Sequence, residues 1–155
     1  MTAKGAFNAE EWAVVTSAPS LAALMVVAAD RGGTIRESLA AQRAAASALA
    51  AEPSPLLREI LTTPTALDPG ERPRTPDDLK ARAPQTLRQA IGILERVASD
   101  EEVVEYKRFV YGVAESVARA HKEGGFLGIG GTEVSAAEQA ALDEIAAIFD
   151  ERQAP

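Results

Sequence analysis

The stretch SDEEVVEYKRFVYGVAESVARAHK, residues 99–122, decides the fold that we predict for this chain. Its apolar residues recur three or four positions apart, as they do along one face of an α-helix: Val103, Tyr106, Val110, Val113 and Val117, followed by His121. Ser99 and Glu102 have the spacing of a capping box, which satisfies the first free N–H groups of a helix. The stretch therefore predicts a long helix with one face buried against other elements.

The predicted helix is followed by a glycine-rich segment, EGGFLGIGG, at residues 123–131. Five of the chain's eleven glycines stand there: Gly124, Gly125, Gly128, Gly130 and Gly131. Glycine loses more backbone entropy on folding than any other residue, so the cluster indicates a backbone that turns left-handed or is approached closely. A second capping box, Ser135 with Glu138, then predicts a last helix that begins at Ala136.

The amino-terminal side of the chain also begins with a helix signal. Asn8 and Glu11 have capping-box spacing, and Phe7 and Trp12 occupy the positions of a hydrophobic staple. A helix is therefore expected from Ala9. We interpret the tryptophan as an anchor of the core rather than as a residue that stacks on a ligand.

Prolines are expected to divide two of the helices. A proline inside a helix removes one backbone hydrogen bond and its ring clashes with the preceding turn. Pro19 should therefore bend or restart the first helix, which ends near the glycines at 32–33, and Pro84 should interrupt a later helix.

An alanine-rich helix is predicted at 35–51, where the only large apolar residues besides the first are Leu39 and Leu49. Side chains this small predict that the helix lies close to a neighbour. A short helix is expected at 56–61, and residues 62–74 show no apolar period, which predicts a loop.

These signals predict an all-α fold, a single domain spanning residues 1–155 and built as a bundle of six or seven helices. The length of 155 residues suits one domain. The chain has 32 alanines and only seven Phe, Trp and Tyr residues, which favours closely packed helices around a thin core.

The charge of the chain is uneven. The net charge is −7, and residues 99–155 alone sum to −7. An acidic carboxy-terminal third argues against nucleic acid as the main partner, because phosphate binding depends on Lys and Arg. Cations or basic partners fit this charge, and many of the acids stand in first helical turns, where they complement the helix dipole.

The chain has no cysteine, which excludes disulfides, thiolate metal sites and a cysteine nucleophile. Residues 1–8 are too short and too polar for a signal peptide, and the apolar run at 21–29 is about half the length of a membrane span. We therefore expect a soluble cytoplasmic protein.

Residues 118–145 resemble the TerB-like helical domains linked to tellurite resistance. The resemblance lies in an alanine-rich helix end, an acidic-glycine turn and a helix capped by Ser-x-x-Glu. It implies a helical fold with an acidic, metal-binding surface. The turn is Asp-Gly in those domains and Glu123-Gly124 here, and the segment at 123–131 also looks like a group of uncharacterised bacterial proteins.

Three interpretations of the glycine-rich segment are open. Its apolar residues Phe126, Leu127 and Ile129 can fold back into the core, or they can dock a partner or a second copy. Alternatively, successive N–H groups can bind an anion beside the helix that begins at Ala136. The segment is not a nucleotide motif, because it follows a helix and contains no lysine.

His121 is the only histidine, and no Glu-x-x-His or His-x-x-x-His pair is present for a metal helix. We interpret it as a residue that caps the carboxyl end of its helix, with general acid–base chemistry as the alternative.

Carboxylates near the two glycine turns are candidate ligands for a divalent cation such as Ca²⁺ or Mg²⁺. They are Asp30, Glu123, Glu133 and Glu138, which meet only if the two turns pack together. No EF-hand spacing is present, and solvated surface acids are the simpler interpretation.

The sequence holds no complete catalytic constellation. It favours a non-enzymatic interaction or stress-associated protein that acts through the glycine-rich segment and an acidic face, and that forms a homodimer centred on Phe126, Leu127 and Ile129. The alternative is a small-ligand, anion or divalent-cation binding domain, with or without catalysis, centred on His121, Glu123 and the loop amides. A third alternative is an adaptor recognised through its loop at 62–74.

Overall fold

The computed structural model of this chain describes residues 2–29, 35–64, 73–122 and 134–151, except for the side chains of 35–38 and 121–122. Six α-helices and no strand make up the described ranges, so the predicted all-α fold is confirmed. After a 3-10 turn at Lys4–Ala6, the helices are α1 Ala9–Ala29, α2 Ile35–Ala50, α3 Pro55–Thr62, α4 Pro76–Val97, α5 Asp100–Lys122 and α6 Ala136–Asp150. Most of the predicted loop at 62–74 lies outside the described residues.

Side-chain caps fix where the helices begin. Three of the four predicted capping pairs are formed, with two hydrogen bonds of 2.9 to 3.3 Å in each: Asn8 with Glu11, Ser99 with Glu102, and Ser135 with Glu138. The fourth, Thr34 with the side chain of Glu37, lies outside the described residues. The hydroxyls of Ser54 and Thr75 cap α3 and α4 by accepting from backbone N–H groups. Each of these two helices then has proline at its first position, where no N–H is needed.

The prediction that Pro84 interrupts its helix is wrong, and so is the prediction that the first helix restarts at Pro19, because α1 and α4 both continue through the proline. Pro19 has no N–H to donate to the carbonyl oxygen of Val15, four residues earlier. The hydroxyl of Tyr106 on α5 donates to that oxygen instead, at 2.6 Å, and both residues are buried. At the other proline, the carbonyl that loses its usual donor belongs to Lys80, an exposed residue.

The core is built around α1. This helix packs mainly on α4 and α5 and also on α6, while α2 lies along α5 and touches α1 and α3 only at its margin. Neighbours on several sides explain why α1 is apolar almost all round. The core was also expected to be rich in alanine, and eight buried alanines confirm this: Ala18, Ala22, Ala23, Ala83, Ala90, Ala114, Ala118 and Ala141.

The amino-terminal staple is formed. The rings of Phe7 and Trp12 are 5.4 Å apart between centroids, and both side chains are buried. The ammonium of Lys4 lies 5.6 Å from the centre of the indole ring. Trp12 is therefore a core residue, as predicted, and closes the bundle at the start of α1.

Glu102 joins the amino-terminal segment to the start of α5. Its carboxylate accepts hydrogen bonds from the backbone N–H of Thr2 at 3.0 Å, from the hydroxyl of Thr2 at 2.7 Å and from the N–H of Ser99 at 3.0 Å. Burial of the carboxylate raises its pKa, but these hydrogen bonds outweigh that effect and lower the pKa from 4.5 to about 2.

In the described part of the chain, α1 alone is long and apolar enough to cross a membrane by length and composition. The expectation from residues 21–29 underestimated its length, since the helix has 21 residues. Half of its apolar window is buried inside the bundle, as in the core helix of a globular fold.

We expect Tyr106→Phe to lower the free energy of unfolding by about 1–3 kcal/mol, because it leaves the buried carbonyl of Val15 without a donor. Pro19→Ala should offset much of that loss in the double variant, because alanine restores a backbone N–H at this position. Urea unfolding of the wild type, both single variants and the double variant measures the coupling between the two sites.

Tyr111→Phe is the matched control for this cycle. Tyr111 is a half-buried residue of the same helix, and its hydroxyl has no hydrogen-bond partner among the described residues. Its replacement should change stability by less than about 0.5 kcal/mol. If Tyr106→Phe lowers the free energy of unfolding equally with proline and with alanine at position 19, the assigned role of the hydroxyl is contradicted.

We expect Glu102→Gln to lower the free energy of unfolding at neutral pH by about 1–3 kcal/mol, because the charged acceptor of three hydrogen bonds is lost. The folded pKa of about 2 lies below the ordinary value of 4.5, so the stabilisation is present above that value and disappears as the pH falls towards 2. Chemical unfolding of the wild type and of Glu102→Gln across this pH range should give free energies of unfolding that converge as the pH falls. Glu101→Gln, on an exposed neighbour in the same turn, should follow the wild type.

Candidate functional site

Most of the predicted site lies outside the described residues. This holds for Gly124, Gly125, Phe126, Leu127, Gly128, Ile129, Gly130 and Gly131, and also for Asp30, Glu123 and Glu133. His121 is the next-to-last residue of α5, with its side chain outside the description. The geometry of the site therefore rests on the helices that lead into it.

These helices run in the same direction. Near the start of α5, Glu102 holds the segment that precedes α1, and six residues into each helix Tyr106 is bonded to Val15. Further along, Ala23 of α1 and Val113 of α5 line the same cavity. The two helices thus lie side by side in register.

The ends of α1 and α5 therefore lie at the same end of the bundle, because the helices have 21 and 23 residues. We call this the glycine end. Residues 30–34, which hold Asp30 and the first glycine turn, leave from Ala29, and the glycine-rich segment leaves from Lys122. Both predicted turns thus begin at the glycine end.

Glu138, the one candidate cation ligand whose side chain is described, has a structural role. It is only 2% exposed, its carboxylate accepts from the N–H of Ser135 at 2.9 Å, and its own N–H donates to the serine hydroxyl at 3.1 Å. The described ranges contain no group of three or more His, Cys, Asp or Glu residues placed to hold a metal ion.

Other carboxylates of the described helices also hold the fold together. Glu11 pairs with Arg96, and its pKa is lowered first by the N–H of Asn8 and then by that guanidinium. Glu151 pairs with Arg88 at 2.8 Å, which links α4 to the end of α6. The acidic surface thus includes residues that connect one helix to another.

A cavity of about 230 Å³ opens where α1, α2, α3 and α5 meet. Its apolar walls include Pro19, Ala45, Ile60 and Phe109, and Gln42 stands among its few polar lining residues. Among the residues that the structure describes, no charged side chain lines it. A space of this size and polarity accepts an apolar side chain or a small uncharged molecule.

A second, shallower cavity of about 360 Å³ lies between α2 and α5. Arg43 and Arg119 line it from opposite helices, together with Ser47 and Ser116. The guanidinium of Arg119 is already bonded to Glu115 at 2.8 Å, and its side chain is 64% exposed. These groups give a weakly positive patch on an acidic protein.

Neither cavity was predicted from the sequence. Both are lined by alanines of α2, which the sequence marks only as a helix that packs closely. The exposure of Leu39 and Leu49, at 44% and 36%, was also missed. The signal for it was present, since these two leucines stand among small and polar residues, with no large apolar residue seven positions away within the helix to continue a buried stripe.

Comparison of the chain with protein-family models, with curated proteins and with solved structures found no match.

Proposed function

We propose that this protein is a non-enzymatic, cytoplasmic helical protein that acts by binding another protein chain, similar in outline to TerB-like domains. The glycine-rich segment at 123–131, which lies within the acidic carboxy-terminal third, is the proposed contact region. Phe126, Leu127 and Ile129 supply its apolar centre. A second copy of the chain is the first partner to test.

The observation that carries this proposal is where α5 ends and α6 begins. Lys122, where α5 ends, lies at the glycine end of the bundle, and α6 begins at Ala136 behind its own capping box. The segment therefore connects the end of α5, at the glycine end of the bundle, to the capped start of α6. Three large apolar residues among five glycines suit a surface that adapts to a partner.

The roles of the described carboxylates also support a binding protein rather than an enzyme. Glu11, Glu102 and Glu138 cap helices, and Glu151 joins two of them. Each of these groups has a structural partner at hydrogen-bond distance, so acid–base chemistry is not needed to explain its place.

We expect the double variant Phe126→Ser with Leu127→Ser to weaken self-association, because it removes the apolar centre of the proposed contact. Sedimentation velocity over a series of protein concentrations measures the change. Thermal unfolding of the same samples separates a lost contact from a lost core, since a core role would lower the melting temperature instead.

Val104→Ser is the matched control for that experiment. Val104 is 53% exposed near the start of α5, away from the glycine end. Self-association that falls equally in both variants would contradict the glycine-rich segment as the contact region.

A second candidate function, a divalent-cation or anion site, is favoured by the common direction of α1 and α5. Because both helices end at the glycine end, the segments that hold Asp30 and Glu123 start from neighbouring points. Carboxylates from two turns are a suitable ligand set for Ca²⁺ or Mg²⁺, and successive glycine N–H groups suit phosphate.

This second function predicts that one ion stabilises the protein selectively. Thermal unfolding of EDTA-treated protein is repeated with Ca²⁺, Mg²⁺, Mn²⁺, Zn²⁺ and phosphate in turn. An ion at a hundred times its dissociation constant adds about 2.7 kcal/mol to the free energy of unfolding, which raises the melting temperature by several degrees.

The rise should vanish in Asp30→Ala and in Glu123→Ala, and it should weaken in His121→Ala. Glu144→Ala, at an exposed acid of α6, is the matched control and should keep the full shift. An equal shift in all four variants would assign the effect to the general acidity of the surface.

A further inference from the structure

The outer face of α2 carries two exposed leucines. We define the α2 face as Leu39, Gln42, Ala46 and Leu49, all of which are exposed, with Gln42 at its edge, where it also lines the cavity between α2 and its neighbours. The opposite side of this helix packs along α5, and its contacts with α1 and α3 are marginal. Two leucines are thus held in solvent by a helix whose remaining residues here are mostly alanine.

The residues of the α2 face follow one stripe. They are separated by three, four and three positions, the spacing at which one helix meets another along a shared seam. With a rise of about 1.5 Å per residue, Leu39 and Leu49 stand about 15 Å apart along the helix. The stripe therefore has an apolar residue at each end and short or flexible side chains between them.

The residues of the α2 face are placed symmetrically about position 44. Leu39 and Leu49 are each five residues from position 44, and Gln42 and Ala46 are each two residues from it. A single two-fold axis passing over position 44 therefore places Leu39 of one copy beside Leu49 of the other, and Gln42 beside Ala46. This reciprocal pairing is what a symmetric dimer interface requires.

Charge also favours a second copy at this place. The chain carries a net charge of −7, which makes two copies repel each other over much of their surface. Between Glu37 and Glu52, however, the sequence holds no carboxylate, and Arg43 is its only charged residue. The α2 face is thus a place where two acidic chains can meet without opposing carboxylates.

We propose that a second copy of this chain docks on the α2 face, with the two α2 helices antiparallel and crossing over position 44. The inference rests on the proposed function in one respect, that the protein works by association with another chain. It goes beyond that function by adding a contact for self-association on α2, separate from the contact proposed for the glycine-rich segment.

The first test replaces both leucines by a polar residue that keeps the helix. Leu39→Gln with Leu49→Gln should raise the dimer dissociation constant by about tenfold or more, measured by sedimentation equilibrium. Val104→Gln, at an exposed apolar residue of another helix, is the control and should leave the constant unchanged. Circular dichroism confirms that each variant stays helical.

The second test reads the register directly and does not depend on the stability of the first variant. The chain has no cysteine, so Leu39→Cys and Leu49→Cys each introduce a single thiol. A disulfide needs Cα atoms within about 7 Å. A mixture of the two variants should therefore form a cross-linked dimer under mild oxidation, whereas either variant alone should not.

The outcomes separate this inference from the proposed function. A dimer that is lost in the leucine variant and cross-linked only in the mixture supports the α2 face. A dimer that is lost only in the Phe126 and Leu127 variant overturns the inference and keeps the proposed contact. Cross-linking of each cysteine variant with itself overturns the antiparallel arrangement, and a wild type that stays monomeric at every concentration overturns self-association altogether.

Discussion

The hydrogen bond from Tyr106 to the carbonyl oxygen of Val15 is the interaction on which the arrangement of this bundle depends. Proline at position 19 removes one donor from the middle of α1, in a region without access to water. The hydroxyl of a neighbouring helix supplies it at 2.6 Å. Burial raises the pKa of Tyr106 well above its ordinary value, so the phenol keeps its proton and remains a donor. The continuity of α1 and its register against α5 are thus set by the same bond.

The sequence was sufficient to predict where these helices begin, because the signals for a helix start are local. A capping box joins residues three positions apart, so Asn8, Ser99 and Ser135 could each be recognised without knowledge of the rest of the chain. The continuity of α1 could not be predicted in this way. It depends on a tyrosine that is 91 residues away from its acceptor, and no local pattern connects the two.

The candidate site shows the same difference between local signals and contacts between distant residues. Glu138 was assigned to its cap from spacing alone, and that assignment is confirmed. The shared direction of α1 and α5, which brings the bases of both glycine turns to one end, is a property of packing and has no counterpart in sequence spacing. Likewise, the alanines of α2 predicted a close neighbour, but only the packing on α5 shows which side of the helix remains open to solvent. Alanine does not indicate which side of a helix is buried, since its small side chain is tolerated on both the buried and the exposed side.

Residues of α1 contact residues that lie far away in the sequence, and this has a consequence for folding during synthesis of the chain. Val15 meets Tyr106 and Glu11 meets Arg96, so these partners of α1 emerge from the ribosome long after α1 itself. At ordinary translation speed this delay is about 5–20 s. During that interval an apolar helix of 21 residues has no bundle in which to be buried. Because Pro19 has no N–H, the carbonyl oxygen of Val15 also stays without its buried donor until Tyr106, in the second half of the protein, has been made.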